Sequence, residues 1–188
     1  MKKVALFLAD GFEEAEALIT ADFLRRANIV CDLVSICGNI VCGSHGIKVV
    51  ADLKFCDFYY DMYDMIVFPG GLPGADNLMN SSDIIDLVKI FSNSGKYIGA
   101  ICAAPQILAK AKVIDGKSVT SYPDDKYRKI LSNGKYVEDA IVCDGNIITS
   151  RGPATTFAFA YKLVEVLGED VSFLKEGMLY NYLLDSYK

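Results

Sequence analysis

Cys102 sits in Tyr97-Ile98-Gly99-Ala100-Ile101-Cys102-Ala103-Ala104-Pro105, where an apolar strand stops and a helix begins. A thiol on such a turn lies in the positive end of the helix dipole, which favours the thiolate, the form that does nucleophilic and redox chemistry. The alternative for a free cysteine is a small, inert core residue. Glu13, Glu14 and Glu16 open the first helix. Acids in a first turn stabilise the dipole by themselves, and Glu13 and Glu14 are read that way. Glu16 differs if its side chain runs along the sheet edge toward Cys102. A carboxylate beside a thiolate is repulsive, so close contact requires a protonated acid of raised pKa donating to sulfur. That pair lets one group attack while the other shuttles a proton.

Gly70-Gly71 ends another apolar run, Asp64-Met65-Ile66-Val67-Phe68, and a glycine pair there can be a plain turn. It can also expose the Gly71 amide, which pairs with that of Ala103 as an oxyanion hole facing the sulfur. No G-x-x-x-x-G-K-[ST] or G-x-G-x-x-G pattern follows the first strand, so a phosphate loop is not indicated. His45 is the only histidine. A Cys–His dyad needs an imidazole within hydrogen-bond reach, and spacing does not place His45 beside Cys102; it reads mainly as a polar loop residue. Tyr122 follows a short strand and is read slightly in favour of packing, with a place at the same edge as the alternative. One histidine and no close cysteine pair give little support to a zinc site.

The elements that must position these groups alternate along the chain. Val4 to Ala9 is a continuous apolar run, as in a strand covered on both faces. Glu14 to Ala27 has helical periodicity, Ile29 to Ile36 reads as a second strand, and residues 37–57 read as one or two short hairpins with turns at Gly38-Asn39 and Gly43-Ser44. A helix capped by Ser81 or Ser82 runs to about Asn93, the strand Ile98 to Ile101 delivers Cys102, and a helix continues through Lys110. Ser118 to Ser121 is a short strand, Ala140 to Cys143 and Ile147 to Thr149 form a hairpin, and Thr155 to Leu167 is a long apolar helix. Asp170 to about Leu184 reads as a final amphipathic helix. With no linker or repeat, residues 1–188 are expected to form a single domain.

Such alternation implies a mostly parallel sheet with helices on both faces. Ligands then bind beyond the carboxyl ends of the strands near the switch in strand order. The loops after the first, third and fourth major strands, carrying the acidic cluster, Gly70-Gly71 and Cys102, should meet there.

Composition narrows the function classes. Of 188 residues, 52% are apolar, yet no stretch approaches the roughly 20 apolar residues that span a bilayer. Asp10-Gly11-Phe12-Glu13-Glu14 ends the first apolar run without a cleavage pattern, so the chain reads as cytoplasmic. Six scattered cysteines without a C-x-x-C pair read as free thiols in that compartment. The net charge of −5, without a basic run, argues against nucleic acid and anionic membranes as partners.

Four motifs, Ala9-Asp10-Gly11-Phe12-Glu13-Glu14-Ala15-Glu16, Phe68-Pro69-Gly70-Gly71, Ala100-Ile101-Cys102-Ala103-Ala104-Pro105 and Thr149-Ser150-Arg151-Gly152-Pro153, resemble the ThiJ/PfpI superfamily in order and over nearly the whole chain. The likeness is to its Parkinson-associated deglycase, glyoxalase III-like branch. It implies an α/β, flavodoxin-like three-layer α/β/α sandwich that pairs as a homodimer. It also implies Cys102 as nucleophile, Glu16 as its protonated partner, and Gly71 and Ala103 as oxyanion-hole amides. Gly70, Tyr122, His45, Arg26, Arg151 and Pro153 fall where that branch places site-lining or dimer-interface groups. The family often has histidine where Tyr122 stands. Its protease-like branch has histidine directly after the cysteine, where this chain has Ala103, which speaks against a peptidase. The implied activity is cofactor-free: attack of Cys102 on a methylglyoxal- or glyoxal-like dicarbonyl, or on its adduct with a glycated protein, without metal, nicotinamide or glutathione. The alternative is a redox-sensing or chaperone-like stress-response protein signalling through Cys102 oxidation.

Overall fold

The computed structural model describes residues 1–187. In chain order its principal elements are β1 (Lys3–Leu8), α1 (Glu14–Arg26), β2 (Val30–Ser35), β3 (Ile40–Cys42), β4 (Lys48–Val50), β5 (Leu53–Lys54), β6 (Met65–Phe68), α2 (Gly74–Asn80) and α3 (Ser82–Asn93). There follow β7 (Tyr97–Ile101), α4 (Pro105–Lys110), β8 (Ser118–Val119), α5 (Asp125–Ile130), β9 (Lys135–Tyr136), β10 (Ile141–Asp144), β11 (Ile147–Ser150), α6 (Thr156–Val166), α7 (Ser172–Gly177) and α8 (Tyr180–Ser186).

Seven strands form one sheet in the order β10-β11-β7-β6-β1-β2-β5, parallel throughout except for the β10–β11 hairpin. The period-2 alternation of β1 divides its side chains between two cores. Val4, Leu6 and Leu8 face a layer that includes α1 and α6, packed through Ala17, Ala21, Leu24, Phe159 and Leu163. Ala5 and Phe7 face the layer of α3 and α4, packed through Ile84, Val88, Phe91, Ile107 and Leu108. The expected mostly parallel sheet between two helical layers is therefore what the chain forms. No helix among the described residues is long and apolar enough to cross a membrane.

The chain runs from β1 outward to β2, then returns to the other side of β1 to lay down β6, β7 and β11. The change of direction falls between β1 and β6, and their carboxyl ends open there. The Glu13 amide donates to the Gly70 carbonyl at 2.9 Å, tying the loop after β1 to the loop after β6.

Several elements depart from the sequence expectation. The segment Asp170 to Leu184 is two helices, α7 and α8, because Leu179 takes a left-handed conformation (φ 57°) between them. The strand read over Ser118 to Ser121 closes after Val119 and pairs in a small separate sheet with β9, which had no counterpart in the sequence reading. The short helices α2 and α5 were likewise unanticipated. The irregular 37–57 stretch holds one antiparallel hairpin, β3–β4, and β5 then joins the edge of the main sheet.

Candidate active site

Cys102 caps β7 at a corner whose backbone is left-handed (φ 63°), a conformation side-chain-bearing residues rarely adopt. Its neighbours hold it there. The Cys102 amide donates to the Ser150 carbonyl at 3.1 Å, and its carbonyl accepts from the Tyr122 amide at 2.9 Å. The backbone amides of Ala103 and Gly71 lie against the sulfur, so two N–H dipoles converge on it.

Gly70 and Gly71 are required by space and conformation. A Cβ on Gly70 would lie 2.7 Å from Cys102 Cβ, 2.8 Å from Glu16 Oε2 and 2.9 Å from the Ala103 nitrogen. Gly71 has φ +83°, and a Cβ there would sit 2.3 Å from the Glu13 nitrogen. The two positions that bring the β6 loop onto the thiol thus admit only glycine without displacement of the backbone.

Glu16, in the first turn of α1, is 1% exposed. Its Oε2 accepts from the Gly70 amide at 2.6 Å. Oε1 has no oxygen or nitrogen partner among the described residues. The Cys102 thiol is the side chain that interacts with this carboxyl. In that interaction the thiol is the donor, which favours the carboxylate and holds the proton on sulfur. Burial pushes the carboxyl up to about 7, against the pull of the Gly70 amide and the thiol. Sulfur and a raised-pKa carboxyl lie together as expected, but the thiol, not the acid, is the donor between them.

The resting state of the sulfur is different from expectation. Burial pushes the Cys102 thiol up, Glu16 pushes it further, and the amides of Ala103 and Gly71 only partly offset this. The anticipated dipole effect does not outweigh this burial and the neighbouring carboxyl. The thiolate becomes favourable when the proton moves to Glu16, not while Glu16 is ionised.

A hollow of about 300 Å³ opens onto the sulfur, lined by Gly71, Leu72, Cys102, Ala103, Tyr122, Asp124 and Tyr127. Tyr122 is 46% exposed on this wall rather than packed inside. Arg151 and Pro153 line an adjoining hollow that shares Tyr122, and the Arg151 guanidinium donates to the Glu138 carbonyl. Two residues expected to line the site lie elsewhere. Arg26 is paired with Asp22 on the surface of α1 at 2.7 Å. His45 is held by Glu14, whose Oε2 lies 2.8 Å from His45 Nδ1, and lines a separate hollow with Glu13, Ala15 and Leu18.

Glu14 is more than a helix-dipole residue. Its Oε1 accepts from the amides of His45 at 2.8 Å and Ile47 at 3.3 Å, fastening the β3–β4 turn to α1. Burial works to raise this carboxyl, but the hydrogen bonds from the His45 ring and the backbone amides outweigh it and hold it at about 2. Glu13, Glu14 and His45 bring possible ligand atoms within 4.8 Å of one another. The Glu14 oxygens are already engaged, however, and the N-terminus of α1 disfavours a cation.

Tyr127 and Asp124 were missed from sequence. Tyr127 is 5% exposed, packs with Ala75 and Ala103 against Cys102, and comes from the unanticipated helix α5. The available signal was Asp124, whose side chain caps α5 by accepting from the Lys126 amide at 2.7 Å.

A mostly parallel sheet that delivers one cornered thiol to a buried carboxyl at its switch point defines an α/β protein with a cysteine-centred site. The chain belongs to the DJ-1/PfpI family, whose model matches residues 2–166. It is 41% identical over 186 residues to Protein dj-1beta of Drosophila melanogaster, a match covering 96% of this chain and 98% of the fly protein. It is 34% identical over 168 residues to glutathione-independent glyoxalase DJR-1.2 of Caenorhabditis elegans, covering 88% of this chain and 89% of the worm protein. The crystal structure of the fly DJ-1beta superposes with a TM-score of 0.90 at 40% identity, covering 95% of this chain and 97% of that one.

Proposed function

We propose that the protein is a cofactor-free enzyme of reactive dicarbonyls, or of their adducts on glycated proteins, of the glyoxalase and deglycase type. The observation that carries this reading is the Glu16 carboxyl, held in its proton-retaining range against the Cys102 sulfur. The similarity to a glutathione-independent glyoxalase supports it.

In the proposed reaction the ionised form of Glu16, which a value near 7 keeps populated at neutral pH, takes the Cys102 proton, and the sulfur attacks the aldehyde carbon of a methylglyoxal-like substrate. A C–S bond forms, the C=O π pair moves to oxygen, and the amides of Gly71 and Ala103 face that oxygen. Protonation gives a hemithioacetal. Glu16 then removes the proton from the former aldehyde carbon and returns one to the neighbouring carbon. The first carbon is oxidised to a thioester as the second is reduced to an alcohol, so no external oxidant is needed. Water breaks the C–S bond, releasing a hydroxy acid and the thiol.

The test is loss of methylglyoxal without added cofactor, compared among wild type, Cys102→Ala and Glu16→Ala. Wild type should turn over, and each variant should lose at least about 100-fold, the scale of a removed nucleophile or general base. Equal rates in all three would refute the reading.

A further inference from the structure

Tyr127 as a residue is only 5% exposed, and among the described residues no hydrogen bond reaches its hydroxyl, although that oxygen is not among the fully enclosed ones. A tyrosine so deeply set ordinarily finds a partner for its hydroxyl. Tyr127 clusters with Ala75 and Ala103, Cys102 packs against that cluster, and Tyr127 forms part of the wall of the hollow above the sulfur. The other acidic groups near the phenol are already engaged. Asp76 accepts from the Gln106 amide nitrogen at 2.8 Å, and Asp124 accepts from the Lys126 amide. Tyr127 lines the hollow above the sulfur, and among the described residues no hydrogen bond ties its hydroxyl elsewhere, so the hydroxyl is free to meet a bound substrate.

We propose that Tyr127 is a further catalytic residue, whose hydroxyl donates to the substrate oxygen next to the carbon bonded to Cys102. This rests on the dicarbonyl reading above, and it explains why the substrate class carries two adjacent oxygens. The first oxygen faces the amides of Gly71 and Ala103, which leaves the second without a donor on that side. Between hemithioacetal and thioester two protons move. One goes from carbon to carbon through Glu16, and the other goes from the first oxygen to the second. Tyr127 serves the second transfer: it gives its proton to the second oxygen and takes the one released by the first, ending as it began. Burial, followed by the charges of Cys102, Asp76 and Asp124, pushes the phenol up to about 12, so it rests as a donor.

The test is Tyr127→Phe, which removes one oxygen and keeps the ring that packs against Ala103. Methylglyoxal turnover is measured together with the rate of Cys102 alkylation by iodoacetamide. The expected result is a loss in kcat of about 100-fold, a KM within about threefold of wild type, and unchanged alkylation. The separate alkylation readout matters because a collapsed cavity would slow both reactions together. Unchanged kcat in an active wild type overturns the role of Tyr127 while leaving the dicarbonyl reading intact, and a parallel fall in alkylation overturns it in favour of a packing role. Wild type no faster than Cys102→Ala overturns the dicarbonyl reading, and this role with it.

Discussion

Glu16 holds its proton into a pH range where an exposed carboxyl has given it up. The cause is burial beneath the Gly70 loop, and the consequence extends from chemistry to folding. Folded Glu16 titrates near 7 against an ordinary value of 4.5. Between those values the native chain binds a proton that the unfolded chain releases. The associated stability is therefore fully present below about 4.5 and is lost as pH rises through about 7. A shift of that size corresponds to about 3 kcal/mol. Glu16→Gln keeps an oxygen to accept the Gly70 amide but cannot ionise. Relative to wild type, it should gain about 3 kcal/mol in denaturant unfolding between about pH 4 and about pH 8. A pH-independent difference between the two proteins would mean that Glu16 is not a proton-retaining group. The sulfur shows the same balance. Chain position alone puts Cys102 at a helix start, where a ready thiolate is expected. Burial and a neighbouring carboxyl outweigh that preference.

Elements whose register depends on continuous apolar runs were legible in the chain. Val4 to Ala9, Met65 to Phe68 and Ile98 to Ile101 have the composition of strands buried on both faces, and they occupy the centre of the sheet. The order of the loops then followed from topology, so the meeting of Cys102, Glu16 and Gly70-Gly71 could be anticipated. Helix α2 could not. Its sequence Gly-Ala-Asp-Asn-Leu-Met-Asn has weak periodicity, and a Cβ at Gly74 would lie 2.5 Å from the Phe12 nitrogen, so tertiary approach positions it. Tyr127 went unseen for a similar reason, since α5 is a short, polar helix whose clearest local mark is its Asp124 cap. The acids of α1 show how one local rule can describe three different roles. Glu13 fits a dipole residue, Glu16 addresses the sulfur, and Glu14 fastens a turn distant in sequence. Glu14→Ala removes the acceptor of the His45 and Ile47 amides, costing about 1–3 kcal/mol. Amide exchange at His45 and Ile47 should accelerate while the amides of β7 keep their protection. Uniform acceleration across the sheet would indicate global loosening instead.

At the scale of the whole molecule, the two helical layers cover the sheet but leave apolar side chains facing outward. Leu18 on α1 and Phe157 on α6 are 36% and 39% exposed, on two helices that share one layer of the sandwich. We predict that a second copy of the chain covers part of that layer. Sedimentation at micromolar concentration should give twice the 20.6 kDa chain mass. A single-chain mass under those conditions would remove the dimer from the account, while the cysteine site, built within one chain, would stand.

The left-handed corner at Cys102 is maintained by bonds to Ser150 and Tyr122, not by the sulfur itself. Such a corner costs on the order of 1–3 kcal/mol in a residue other than glycine. The molecule is thus less robust than its architecture permits, and part of the deficit falls on the residue that the proposed reaction needs as nucleophile. Selection for heat resistance alone would favour glycine at this corner and silence the protein, so durability and competence pull this position in opposite directions.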